Sequence, residues 1–159
     1  MRRIKRLKFR HQRLTKRYQP SGFSLIETML VAMFIAVIVG ITVPQLRESL
    51  SLYRLTASAN LVATELNAGR TLAVSRNWLY ETDLDMSNNT IQIVDPDDSN
   101  NNPRTVNSLE SDITFSSVPS PAIRFYSHGH ARGGTIVLQN GNGDTISVVV
   151  SASGKAEIQ

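Results

Sequence analysis

The chain has 159 residues, enough for one compact domain and little more. Seventeen Lys and Arg against thirteen Asp and Glu give a net charge of +4, which taken alone points to nucleic-acid or membrane partners. There is no Cys, which excludes a disulfide framework, thiol catalysis and thiolate metal sites.

The charge is not spread evenly. Residues 1–22 hold nine basic residues (Arg2, Arg3, Lys5, Arg6, Lys8, Arg10, Arg13, Lys16 and Arg17) and no acid. Without those nine, the rest of the chain has eight basic and thirteen acidic residues, a net −5. The protein reads as a basic leader joined to an acidic body, which weakens a nucleic-acid reading based on pI alone.

An uncharged run, Thr28 to Leu46 (TMLVAMFIAVIVGITVPQL), follows the leader. Nineteen residues of helix at about 1.5 Å each span roughly 28 Å, close to the hydrocarbon thickness of a bilayer. A buried core helix rarely lacks a polar face over such a length. The positive-inside rule then places residues 1–22 in the cytoplasm and residues 47–159 across the membrane. No small-x-small cleavage site follows the run, so the segment is expected to stay as an anchor.

Helical periodicity continues beyond the run. Leu46, Leu50, Tyr53, Ala57 and Leu61 form one stripe, and Leu55, Ala59, Val62 and Leu66 form a second. The stripes predict a helix from about Phe23 to about Arg76 that is covered on two sides. Pro44 lies inside it and is expected to kink it.

From Trp78 onward the pattern changes to short β-rich runs: 79–84, 90–94, 113–115, 122–126, 135–138 and 145–150. Turn clusters separate them, and Asn140-Gly141-Asn142-Gly143-Asp144 reads as a hairpin loop. Residues 78–159 are expected to form a small, mostly antiparallel β domain. It is too short to bury a generous core alone, so the soluble half of the helix, 47–77, is expected to pack on it. The fold class is thus α+β.

The most specific signal is Gly22-Phe23-Ser24-Leu25-Ile26-Glu27, between the leader and the apolar run. A carboxylate entering a membrane is costly, by roughly 2–3 kcal/mol near the centre and less at the edge. One reading leaves Glu27 solvated among the headgroups. The other has a protease cut before Phe23, so that Glu27 pairs with the new terminal amine of a neighbouring subunit and sets axial register.

This arrangement closely resembles the type IV prepilin signature of type IV pilins, minor pilins and type II secretion pseudopilins. The resemblance implies cleavage after Gly22 by a membrane prepilin peptidase and N-methylation of Phe23. It assigns Glu27 to subunit assembly, and Pro44 matches the family's helix-breaking proline. The C-terminal part resembles the GspH/FimT group through Ile123-Arg124-Phe125-Tyr126, His128 to Leu138, Ile146 to Val150 and Ser153-Gly154-Lys155. Some members bind DNA through a Gly-Arg-x-Arg stretch near the C-terminus. Here the residues are Gly154-Lys155-Ala156-Glu157, and the charge reversal at Glu157 weighs against DNA. Arg124, Arg132 and Lys155 are the candidate DNA contacts, and three charges give only weak phosphate binding.

Other constellations are thin. His128 and His130 have no identifiable third ligand, so a polar turn is expected and no metal. Asp95, Asp97, Asp98 and Asn100 to Asn102 resemble part of a calcium loop. An EF-hand would need Gly and Glu where Asn100 and Val106 stand, so a solvated loop is expected. No nucleophile–base pair or carboxylate pocket appears, and neither catalysis nor a cofactor is expected.

The resemblance implies a single-pass protein of the bacterial inner membrane, with its C-terminal domain in the periplasm and later at a filament tip. The implied partners are the prepilin peptidase, the inner membrane and other pilin or pseudopilin subunits. Three roles stay open: a minor pilin initiating or capping a type IV pilus, an H-type type II secretion pseudopilin, and a DNA-binding minor pilin for natural transformation.

Overall fold

A computed structural model describes residues 22–98 and 102–159. In chain order the elements are helix α1 (Leu25–Arg76) and strands β1 (Tyr80–Asp85), β2 (Thr90–Val94), β3 (Asn107–Ser108), β4 (Ile113–Ser117), β5 (Arg124–Phe125), β6 (Ala131–Arg132), β7 (Gly134–Asn140), β8 (Thr145–Val150) and β9 (Ala156–Ile158). All six expected strands are present. β3, β6 and β9 are additional, and at two or three residues each they are too short to show an alternation.

By packing, the chain divides into two units, one ending at Val39 and one comprising Gly40–Gln159. In the first, Phe23 to Val39 are exposed throughout. Their helix is long and apolar enough to cross a membrane. It starts where Ser24 O accepts from the amides of Glu27 (3.0 Å) and Thr28 (3.1 Å). Glu27 thus lies in the first turn, where the helix dipole favours a carboxylate.

The second unit is the folded body. Its strands form two antiparallel sheets, ordered β3-β2-β1-β5-β6 and β4-β7-β8-β9. β7 and β8 are joined by the expected hairpin, paired from Gly134↔Val150 to Gln139↔Thr145. The helix supplies Leu55, Ala59, Val62, Leu66, Gly69 and Ala73 to the core, a single stripe stepping by four and three. Ile91, Ile93, Ile113, Phe115, Phe125, Ile136, Leu138, Val148 and Val150 come from the strands, and Ile123 from just before β5. A Cβ at Gly69 would stand 2.9 Å from Ile93 Cδ1 and 3.1 Å from Phe125 Cε2, so glycine lets the sheet approach the helix.

One expectation needs revision. The helix is covered on one side within this chain. Leu46, Leu50 and Tyr53 of the first stripe stay 58%, 46% and 72% exposed. Pro44 lies within this α-helix. Proline costs the helix the bond to the carbonyl four residues back, which belongs to Gly40, where nothing lies within 4 Å of a built Cβ.

Candidate functional site

The processing signature lies in open surroundings. Gly22, Phe23 and Ser24 precede the first helical residue and are exposed, with Phe23 at 80%. The Gly22–Phe23 bond is exposed and lies outside the helix. Beyond it the helix presents Met29, Met33, Phe34, Ile38 and Ile41, all more than 60% exposed. Backbone hydrogen bonds are satisfied inside the helix, so its surface suits hydrocarbon or the apolar faces of neighbouring helices.

The body is tied to the helix by polar side chains at chosen points. Arg104 Nε and Nη2 each donate at 2.6 Å to the Glu65 carboxylate, which is only 5% exposed. That hydrogen bond holds the Arg104 guanidinium pKa above its ordinary value. Asn67 Oδ1 accepts from Ala156 N at 3.2 Å, closing the edge of β9. Arg70 Nε donates to the carbonyls of Gly129 and Ser153, both at 3.1 Å, joining the β5–β6 turn to the β8–β9 turn. Ser58 Oγ accepts from Glu110 N at 3.1 Å.

The three candidate DNA contacts are engaged within the chain. Arg124 pairs with Glu81 on the neighbouring strand. Arg132 donates from Nε and Nη2 to Ala122 O, at 3.1 and 2.6 Å. Lys155 pairs with Glu157 at 2.7 Å, and that contact holds the Glu157 carboxyl below its ordinary value. Arg124 and Arg132 stand opposite each other across β5 and β6, but both serve the sheet.

His128 and His130 lie in the β5–β6 turn, closed by Tyr126 N to His130 O at 2.9 Å, with Gly129 at φ 82°. Among the described residues no three His, Asp or Glu side chains are grouped to hold a metal. In the acidic loop, Asp95 Oδ1 accepts from Asp97 N at 3.0 Å, and Asn100 and Asn101 lie outside the described residues.

The Gly133-Gly134 pair is explained by space. A Cβ on Gly133 would stand 2.0 Å from Val150 O, and one on Gly134 would stand 2.6 Å from Pro119 Cβ. Residues 58–154 match the model of the family described as "Type II transport protein GspH". The chain belongs to the GspH family. The match takes in the last turns of the helix and strands β1 to β8, which is more than half of the chain.

Solved structures share the fold. The minor pseudopilin EpsH from the Type 2 Secretion System of Vibrio cholerae matches at 13% identity and TM-score 0.54, over 67% of this chain and 96% of EpsH. The type IV minor pilin FimU of Pseudomonas aeruginosa matches at 16% identity and TM-score 0.54, over 66% of this chain and 87% of FimU. No curated protein matches in sequence. The long helix on antiparallel sheets is therefore a pilin-like fold, and minor pilins and pseudopilins share it.

Neither the Glu65–Arg104 pair nor the Arg70 bridge was legible beforehand. A Glu or Arg in a soluble helix reads as solvated surface, and its partner (Arg104 for Glu65, the Gly129 and Ser153 carbonyls for Arg70) lies far off in the sequence.

Proposed function

We propose that this chain is a non-catalytic minor pilin, cut by a prepilin peptidase before Phe23, that initiates or caps a type IV pilus. The observation that carries this reading is the GFSLIE signature, an exposed Gly22–Phe23 bond heading an exposed apolar helix, on a GspH-family body. Before assembly the chain is anchored in the inner membrane, its leader in the cytoplasm and its body in the periplasm. After processing, Glu27 meets the amine of a neighbouring subunit's Phe23, whose N-methylation follows cleavage. Pro44 loosens the helix during assembly. The body is displayed at the tip, and its exposed Leu46–Leu50–Tyr53 stripe takes a second subunit's helix.

A second reading, the H-type pseudopilin of a type II secretion system, is favoured by the GspH match and by the near-complete overlap with EpsH. A clean deletion in the native host, scored for surface pili, protein secretion and transformation, separates the roles. Loss of pili with normal secretion supports the minor pilin. Loss of secretion with normal pili moves the chain to the pseudopilin class. Loss of transformation with pili intact revives DNA binding.

A further inference from the structure

Two adjoining recesses open beside the first soluble turns of the helix. One, of about 560 Å³, is lined by Val43, Pro44, Arg47, Glu48, Asn142 and Asp144. The other, of about 480 Å³, shares Arg47 and Asn142 and extends to the Arg54–Asp112 ion pair. The helix buries no side chain before Leu55, so the β7–β8 hairpin loop stands off from it and leaves this wedge open.

The chemistry of the larger recess is mixed in a particular way. Val43 and Pro44 belong to the uncharged span, whereas Arg47 and Glu48 are the first charges after it. Val43 with Arg47, and Pro44 with Glu48, are pairs one turn apart on the helix. Neither Arg47 nor Glu48 forms an ion pair among the described residues, although Arg54, Arg104, Arg124 and Lys155 all do. Facing them, the hairpin loop is held by Asn140, itself 5% exposed. Asn140 Oδ1 accepts from Asn142 N (3.1 Å) and Asp144 N (2.8 Å), and its Nδ2 donates to Asp144 Oδ2 (2.8 Å). Asp144 is exposed and lines the recess, in a loop whose backbone these bonds hold.

We infer that this recess binds the phosphoethanolamine headgroup of a membrane lipid. The inference rests on the membrane-anchored reading above. An unpaired guanidinium suits the phosphate, and carboxylates on both walls suit a primary ammonium, which has three N–H donors to offer. A trimethylammonium has none, and a glycerol headgroup carries no positive charge. The recess begins where the uncharged span ends, at the depth where a headgroup lies when its acyl chains lie in the hydrocarbon beside Val43. Arg47 and Glu48 then serve the membrane surface and need no partner within the chain.

The test uses the full chain purified in mild detergent and offered equal amounts of phosphatidylethanolamine and phosphatidylcholine, with retained lipid counted by native mass spectrometry. Phosphatidylethanolamine is expected to be retained roughly tenfold over phosphatidylcholine, as one extra charge-assisted hydrogen bond provides. Arg47→Ala should lose retention of both lipids. Glu48→Gln with Asp144→Asn should lower phosphatidylethanolamine retention to the phosphatidylcholine level. All three residues are exposed, so unchanged circular dichroism is expected. Equal retention by the wild type, or unchanged retention in Arg47→Ala, overturns the inference. Flotation with vesicles of either lipid is the companion measurement. A chain that floats but shows no preference refutes the headgroup site alone, and a chain that floats with neither refutes the membrane anchor and the site together.

Discussion

Glu65 occupies a helical position turned toward the core, where periodicity asks for an apolar residue. Burying it is tolerable because Arg104 meets both carboxylate oxygens at 2.6 Å. Removing one partner strands the other, so Arg104→Ala should cost about 2–3 kcal/mol. That is below the roughly 3–5 of a fully enclosed pair, since the Arg104 side chain is 36% exposed. Urea unfolding of the full chain in detergent measures this, and Glu65→Leu with Arg104→Leu should recover most of the loss. At Gly133 the constraint is steric. Gly133→Ala pushes a methyl against the Val150 carbonyl and should cost about 3 kcal/mol, whereas Gly141→Ala, with nothing within 4 Å, should stay within about 0.5. Asp85 closes the β1–β2 turn, accepting from the Asn88 side chain and from the amides of Asn88 and Ser87, and its carboxyl lies below the ordinary range. A native pKa below the unfolded one stabilises above the unfolded value and is lost as pH falls through the native one. Protection of the Ser87 and Asn88 amides, taken relative to their intrinsic exchange rates, should therefore fall as pH drops through the lowered Asp85 pKa, and Asp85→Asn should remove that acid dependence.

At the scale of elements, the helix carries two stripes with different destinies. Leu55, Ala59, Val62 and Leu66 are at most 1% exposed, and Leu66→Ala should destabilise the body by about 2–5 kcal/mol. Leu50 and Tyr53 remain open, so Leu50→Ala with Tyr53→Ala should leave the melting temperature within a degree or two while reducing filament incorporation, scored by subunit content of sheared pili. Periodicity identified both stripes but could not say which one the sheet would take. That choice follows from Gly69, Ser58 and Asn67, small or polar residues that let the sheet approach one face and hydrogen-bond to it. The strands were legible where β-rich residues ran between turn clusters. β3, β6 and β9 exist because a longer neighbour offers an edge, which is a property of the partner strand.

For the whole molecule, the exposed N-terminal helix and the folded body answer to different physics. Replacing Gly22 with Asp places a charge beside the scissile bond and should leave the chain uncut. Gel mobility in the native host would show the larger form, with urea unfolding of the body unchanged because Gly22 lies outside it. The basic N-terminal segment, the apolar span, the GFSLIE motif and the α+β order were determined by sequence alone, since each rests on charge, hydropathy or local spacing along a contiguous segment. The tertiary structure alone decided that Arg124, Arg132 and Lys155 are held by Glu81, the Ala122 carbonyl and Glu157. It also decided that Glu65 is buried and that a charged recess opens beside Arg47. Each of these depends on which distant segment is brought alongside, and a side chain's charge has no set role until its neighbour across the fold is in place.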